Sequence, residues 1–119
     1  MFAFALLDRR TGSLILGRDP FGIKPLFLAR RHGGLAFASE LKALAPVLGD
    51  ALELDPTALI SSLMYYWVPE AHCVYRDVEK LPPGHWAEMS PDGAYRQTCY
   101  FDPRREFIHD SYREIGVFD

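Results

Sequence analysis

The chain has 119 residues, enough for one domain at most. It is 49% hydrophobic and 24% charged with a formal net charge of −3, the balance of an ordinary globular protein. No cluster of Lys or Arg forms a basic stripe, which speaks against nucleic acid as a partner. The longest apolar runs, residues 2–7 and 59–68, fall far short of the ~20 residues that a membrane span needs.

Residues 2–7 form a continuous apolar run of strand length, and the polar stretch closing on Gly12 is a turn signal. Residues 13–17 read as the returning strand of a hairpin. The loop Arg18-Asp19-Pro20-Phe21-Gly22-Ile23-Lys24-Pro25 follows, and its two prolines exclude a helix and a central strand alike. Residues 26–29 and 35–38 are two further short strands, joined by Arg30-Arg31-His32-Gly33-Gly34. Four strands in succession predict an antiparallel meander, and their near-continuous hydrophobicity predicts a sheet covered on both faces.

Ser39 is the expected cap of a helix over residues 40–44, with Glu40 in its first turn and Pro46 and Gly49 ending it. Asp55-Pro56 is a strong second helix start. From there Leu59, Ile60, Leu63, Met64 and Trp67 recur at helical spacing, giving an amphipathic helix that stops before Pro69. Leu81-Pro82-Pro83-Gly84 is a rigid turn, and residues 85–90 and 94–101 flank Pro91-Asp92-Gly93 as a last hairpin. Residues 1–103 make the expected domain, and residues 104–119 read as a linker or tail.

Few residues invite chemistry. His32, His72, His85 and His109 stand apart from one another and from Cys73 and Cys99, without the close spacing of a zinc site. His72 and Cys73 are adjacent, but neighbours on an extended segment point to opposite faces and seldom form a dyad. No phosphate loop and no nucleophile elbow is present. The start of the chain lacks a basic lead-in to its apolar run, so no secretory signal is read. Two free thiols in a reducing, cytoplasmic setting are the expectation. The loop at residues 18–25 is the most unusual feature, because its constrained backbone can hold Arg18, Asp19 and Lys24 in fixed positions. It reads either as a contact surface or as a strand connection in which Arg18 and Asp19 bond loop backbone groups.

At this loop the sequence resembles the glutamine-hydrolysing asparagine synthetases. The order Phe2-Ala3-Phe4-Ala5-Leu6-Leu7-Asp8, then residues 17–26, then Phe37-Ala38-Ser39-Glu40-Leu41-Lys42-Ala43-Leu44 carries the likeness. Tyr66-Trp67-Val68-Pro69, Val74-Tyr75-Arg76-Asp77-Val78 and Lys80-Leu81-Pro82-Pro83-Gly84-His85 extend it over residues 1–102. The resemblance implies a class II glutaminase of the N-terminal-nucleophile type, an α+β fold built as a four-layer αββα sandwich with mostly antiparallel strands. It also implies a cysteine nucleophile at the chain start, ammonia passed to a C-terminal synthetase domain, and ATP with magnesium activating aspartate there.

Against that pattern, Phe2 follows Met1, and the family's opening Cys-Gly-Ile, its Asn-Gly-Glu segment and its Ser-Gly-Gly-x-Asp-Ser loop have no counterpart in these 119 residues. The expectation is the C-terminal half of a glutaminase domain, inactive alone, without cofactor or metal, and with no catalytic residue carried over. Its partners would be the N-terminal half of that domain and the synthetase domain, and the isolated chain would self-associate. The residues that transfer as family signature are Arg18, Asp19, Gly22, Lys24, Pro25, Ser39 and Glu40, shaping the core and a domain-facing surface. The alternatives are a free-standing interaction or regulatory module, or a piece of a related amidotransferase acting on another carboxylate.

Overall fold

The structure is a computed structural model that describes residues 1–31, 33–49, 52–70 and 72–105. It is an α+β fold of two antiparallel sheets with few helices, a sandwich fragment. Strand β1 (Ala3–Leu7) turns through Gly12, at φ 75°, into β2 (Leu14–Arg18). After the 18–25 loop come β3 (Phe27–Arg31) and β4 (Gly34–Ala38), closed by a two-residue turn whose Gly33 lies at φ 74°. The short β5 (Glu79–Lys80) and the hairpin of β6 (His85–Met89) and β7 (Tyr95–Cys99) complete the strands.

The first four strands do not form one meander. One sheet has the order β1-β2-β6-β7 and the other β4-β3-β5. The 18–25 loop is a crossover between sheets, because its fastenings carry the chain away from β2 rather than back along it. Between the sheets lies the first core, with Leu16 and Ala87 from one side and Leu26, Leu28 and Leu81 from the other. Alternation along β3 sends Ala29 to the opposite face, where it joins a second core with Leu44, Leu48, Cys73 and Val78. The sheets are also tied by the Arg30 guanidinium, 4.7 Å above the Tyr95 ring.

The helical segment after β4 packs on the far face of the β4-β3-β5 sheet, where Leu44 and Leu48 enter the second core. The expected Ser39-capped helix is instead a 3-10 turn (Leu41–Ala43) followed by α1 (Ala45–Leu48). Glu40 occupies the cap position with extended backbone and makes no side-chain cap bond. Pro46 sits in the first turn of α1 rather than after it, where its missing N–H costs nothing. Helix α2 (Pro56–Tyr65) starts as expected: Asp55 accepts from Thr57 N at 2.8 Å and Ala58 N at 3.3 Å. It ends sooner than the periodicity suggests, because Tyr66 turns left-handed at φ 53°.

The outward face of the β1-β2-β6-β7 sheet carries exposed Phe4 and Leu6, and β1 pairs only with β2. Continuous hydrophobicity therefore marks a strand whose second face no described residue covers.

Gly84 locks the crossover to the last hairpin. It lies at φ 65°, and a Cβ there would stand 2.1 Å from the Phe101 carbonyl oxygen. Gly84→Ala combines a left-handed alanine with a backbone clash and is expected to cost about 3 kcal/mol or more. Chemical denaturation of the variant beside the parent chain measures it.

Candidate functional site

The polar centre of the molecule is the crossover loop. Arg18 and Asp19 are 3% and 1% exposed, and they are the buried charged residues of the described chain. Arg18 belongs to the last position of β2 and points between the sheets. Its Nε donates to Lys24 O at 2.9 Å, Nη2 to Gly22 O at 2.8 Å, and Nη1 to Leu81 O at 2.6 Å. Nη1 also donates to the Glu70 carboxylate, the counterion of this buried cation.

Asp19 does the reverse work. Its Oδ1 accepts from Phe21 N at 3.1 Å and Ile23 N at 3.2 Å, and its Oδ2 from Lys24 N at 3.2 Å and Phe2 N at 3.3 Å. The guanidinium thus takes the loop's carbonyls and the carboxylate takes its amides. Gly22, at φ 64°, gives the turn that lets both sets point inward. Asp19's own carbonyl accepts from Gly22 N and Gly84 N, and Tyr100 Oη donates to Arg18 O at 2.7 Å. Among the described residues no buried side-chain N or O lacks a partner.

Burial pushes the Asp19 carboxyl up, but the N–H groups of Lys24, Ile23, Phe21 and Phe2 outweigh it and hold it below the usual carboxylate value. Burial, and then the Asp19 charge, push the Tyr100 hydroxyl up, so it stays a neutral donor. Lys24 and Pro25 follow on the loop's outer side, with the Lys24 side chain exposed. Ser39 and Glu40 are not part of this centre. They lie exposed at the end of β4, where Glu40 pairs with Lys42 at 2.8 Å. The seven residues expected as family signature therefore divide into one loop cluster, buried at Arg18 and Asp19, and one surface pair.

Sequence reading did not single out Glu70 or Tyr100, which lie 52 and 82 positions from Arg18. Leu81 and Gly84 carry a local turn signal but nothing that names their partner.

Among the described residues the thiols and imidazoles form no catalytic dyad. Cys73 is buried in the second core and His72 beside it is exposed. Cys99 and His85 face each other across the β6–β7 ladder, on a recess of about 380 Å³ shared with Phe21 and Phe101. There Cys99 Sγ donates to Phe101 O at 3.5 Å, while His85 Nδ1 bonds Pro83 O at 2.7 Å. His32 and His109 lie outside the described residues. Among the described residues no three His, Cys, Asp or Glu side chains stand close enough to hold a metal, and no helix is long and apolar enough to cross a membrane.

Asp19→Asn replaces one acceptor oxygen by an N–H₂ facing amide donors and should cost about 2–4 kcal/mol at pH 7. The depressed carboxyl contributes stability that is fully present above the unfolded value of about 3.8 and is lost as pH falls through the lower folded value. The difference between parent and variant in urea unfolding should thus be flat from about pH 7 to pH 5 and shrink below about pH 4.

Residues 1–101 match the family described as Glutamine amidotransferase domain. A Mycobacterium tuberculosis protein provisionally named as a glutamine-hydrolysing asparagine synthetase is 44% identical over 108 residues, covering 87% of this chain and 17% of that protein. Asparagine synthetase (glutamine-hydrolysing) 1 of Bacillus subtilis is 37% identical over 101 residues, covering 85% and 16%. The asparagine synthetase (glutamine-hydrolysing) of Pongo abelii is 35% identical over 106 residues, covering 71% and 19%. The chain thus spans less than a fifth of the length of these relatives. It belongs to the glutamine amidotransferase domain family.

Proposed function

We propose that the chain is a scaffold portion of the glutaminase unit of a glutamine-dependent, ATP-dependent asparagine synthetase, and that these 119 residues do not hydrolyse glutamine by themselves. The observation that carries the reading is the contrast between a family match over residues 1–101 and a polar centre whose groups are spent on loop backbone and on Glu70. Glutaminase chemistry needs an exposed nucleophile with a base in reach. Cys73 is buried, and Cys99 bonds a carbonyl with no base on its sulfur. The role of the Arg18–Asp19 centre is then to hold the two sheets in register for catalytic groups supplied elsewhere in the larger enzyme.

In that enzyme glutamine would be the ammonia source and aspartate the acceptor, with ATP and magnesium at a synthetase domain. Among the described residues no group of His, Cys, Asp or Glu is placed to hold magnesium, and no step through ATP or magnesium is assigned to this chain. Two free thiols suit a reducing, cytoplasmic setting.

Incubation of the purified chain with glutamine, read by coupled glutamate detection, should give no release above the buffer rate. Release that persists through purification and disappears in Cys99→Ala would overturn the reading and relocate the nucleophile to Cys99.

A further inference from the structure

The β6–β7 ladder sets side by side two metal-ligating side chains that the crossover centre does not use. His85 and Cys99 are directly opposed in the antiparallel register. The adjoining pair, Gly84 and Tyr100, is hydrogen-bonded, with Tyr100 N donating to Gly84 O at 2.8 Å. Hydrogen-bonded and open pairs alternate along such a ladder, so His85 and Cys99 form an open pair. Their side chains leave the same face with Cβ atoms about 5 Å apart. His85 Nδ1 lies 2.7 Å from Pro83 O and donates its proton there, since a carbonyl only accepts. The neutral ring is thereby held in the tautomer whose lone pair is at Nε2, the arrangement that stands behind metal-bound imidazoles. Cys99 is an exposed free thiol, and its Sγ makes one weak bond, 3.5 Å to Phe101 O. Both residues line the recess of about 380 Å³, beside Pro83 and the edge-to-face rings of Phe21 and Phe101, 6.1 Å apart. Asp102 also borders it, but Arg104 and Arg105 occupy both of its carboxylate oxygens.

We propose that Cys99 Sγ and His85 Nε2 form a two-coordinate site for a monovalent thiophilic cation, and that Cu(I) is the ion it fits. Ligand number decides the ion. Zinc takes at least three of its four positions from protein side chains. Cu(I) is satisfied by two ligands in line, and thiolate and imidazole are the donors that suit it. Length agrees with that choice. Metal bonds of about 2.3 Å to sulfur and 2.0 Å to nitrogen span about 4.3 Å, within reach of two side chains on an open pair. Charge agrees as well. On binding, the Cys99 S–H bond breaks, its proton passes to solvent and an S–Cu bond forms, with no change of oxidation state. Thiolate, Cu(I) and neutral imidazole sum to zero, so the apolar walls face no net charge.

The reduced chain, titrated without oxygen against Cu(I) held by the chelator bicinchoninate, should withdraw about one ion per chain. X-ray absorption at the copper edge should then show one sulfur and one nitrogen neighbour. Cys99→Ser should weaken binding at least ~100-fold and His85→Gln at least ~10-fold, the loss that follows removal of a ligand or its support. Neither side chain belongs to a hydrophobic core, so circular dichroism of both copper-free variants should match the parent. No transfer from the chelator overturns the inference, as does an affinity that His85→Gln leaves unchanged, the mark of a thiol acting alone. Two sulfur neighbours at the copper, the mark of an ion shared between chains, overturn it as well.

Discussion

Two opposite charges on neighbouring residues, both withdrawn from water, organise this molecule. Burying a guanidinium or a carboxylate costs several kcal/mol each unless charge and hydrogen bonding replace the lost hydration. Here the replacement is nearly all backbone. Arg18 takes the carbonyls of Gly22, Lys24 and Leu81, and Asp19 takes the amides of Phe2, Phe21, Ile23 and Lys24. Neither residue could do this alone. A loop turned inward exposes both donors and acceptors to the interior, and only a cation beside an anion answers both. The loop is thereby held at the point where the chain leaves one sheet for the other. Through Leu81, Gly84 and Tyr100 the second half of the chain is held to the same point.

The sequence conveys the local half of this arrangement. Strands β1 to β4, the hairpin turns at Gly12 and Gly33 and the Asp55 cap were legible because each depends on residues within a few positions of one another. The loop charges were legible as unusual. What they bond was not, because Glu70 and Tyr100 come from far along the chain and carry no local signal. Assigning four consecutive strands to one meander failed for a related reason. Short connections favour pairing of neighbours, yet the loop that joins β2 to β3 is fixed by contacts with residues beyond position 80, and those redirect it. Ser39 failed as a cap because the backbone at Glu40 stays extended and the helical turn begins one residue later as 3-10.

Periodicity also has a sign that the sequence withholds. The α2 pattern correctly marks an apolar stripe, but nothing in the spacing of Leu59, Leu63 and Trp67 says whether the stripe faces inward. The answer lies in the opposite side of the same helix: Ala58, Ser61 and Ser62 are small enough to rest closely on the domain and leave the large side chains outside. A helix with small residues inward and large apolar residues outward satisfies its own domain by close approach and something else by area.

Family membership and buried charge come together in this chain. The glutamine amidotransferase domain family is identified by residues 1–101, and within them the loop at residues 18–25 is a fastening in which the Arg18 and Asp19 side chains are already engaged. A group that is fully hydrogen-bonded inside the protein has no lone pair or proton left for a substrate, so a conspicuous motif of charged residues can be wholly architectural. The groups with spare capacity sit elsewhere: the exposed side chain of Lys24 on the outer side of that loop, the open edge of β1 and the outward face of α2. All three are surfaces suited to contact. That distribution, with charge spent inside and apolar area left outside, is what the proposed scaffold role requires.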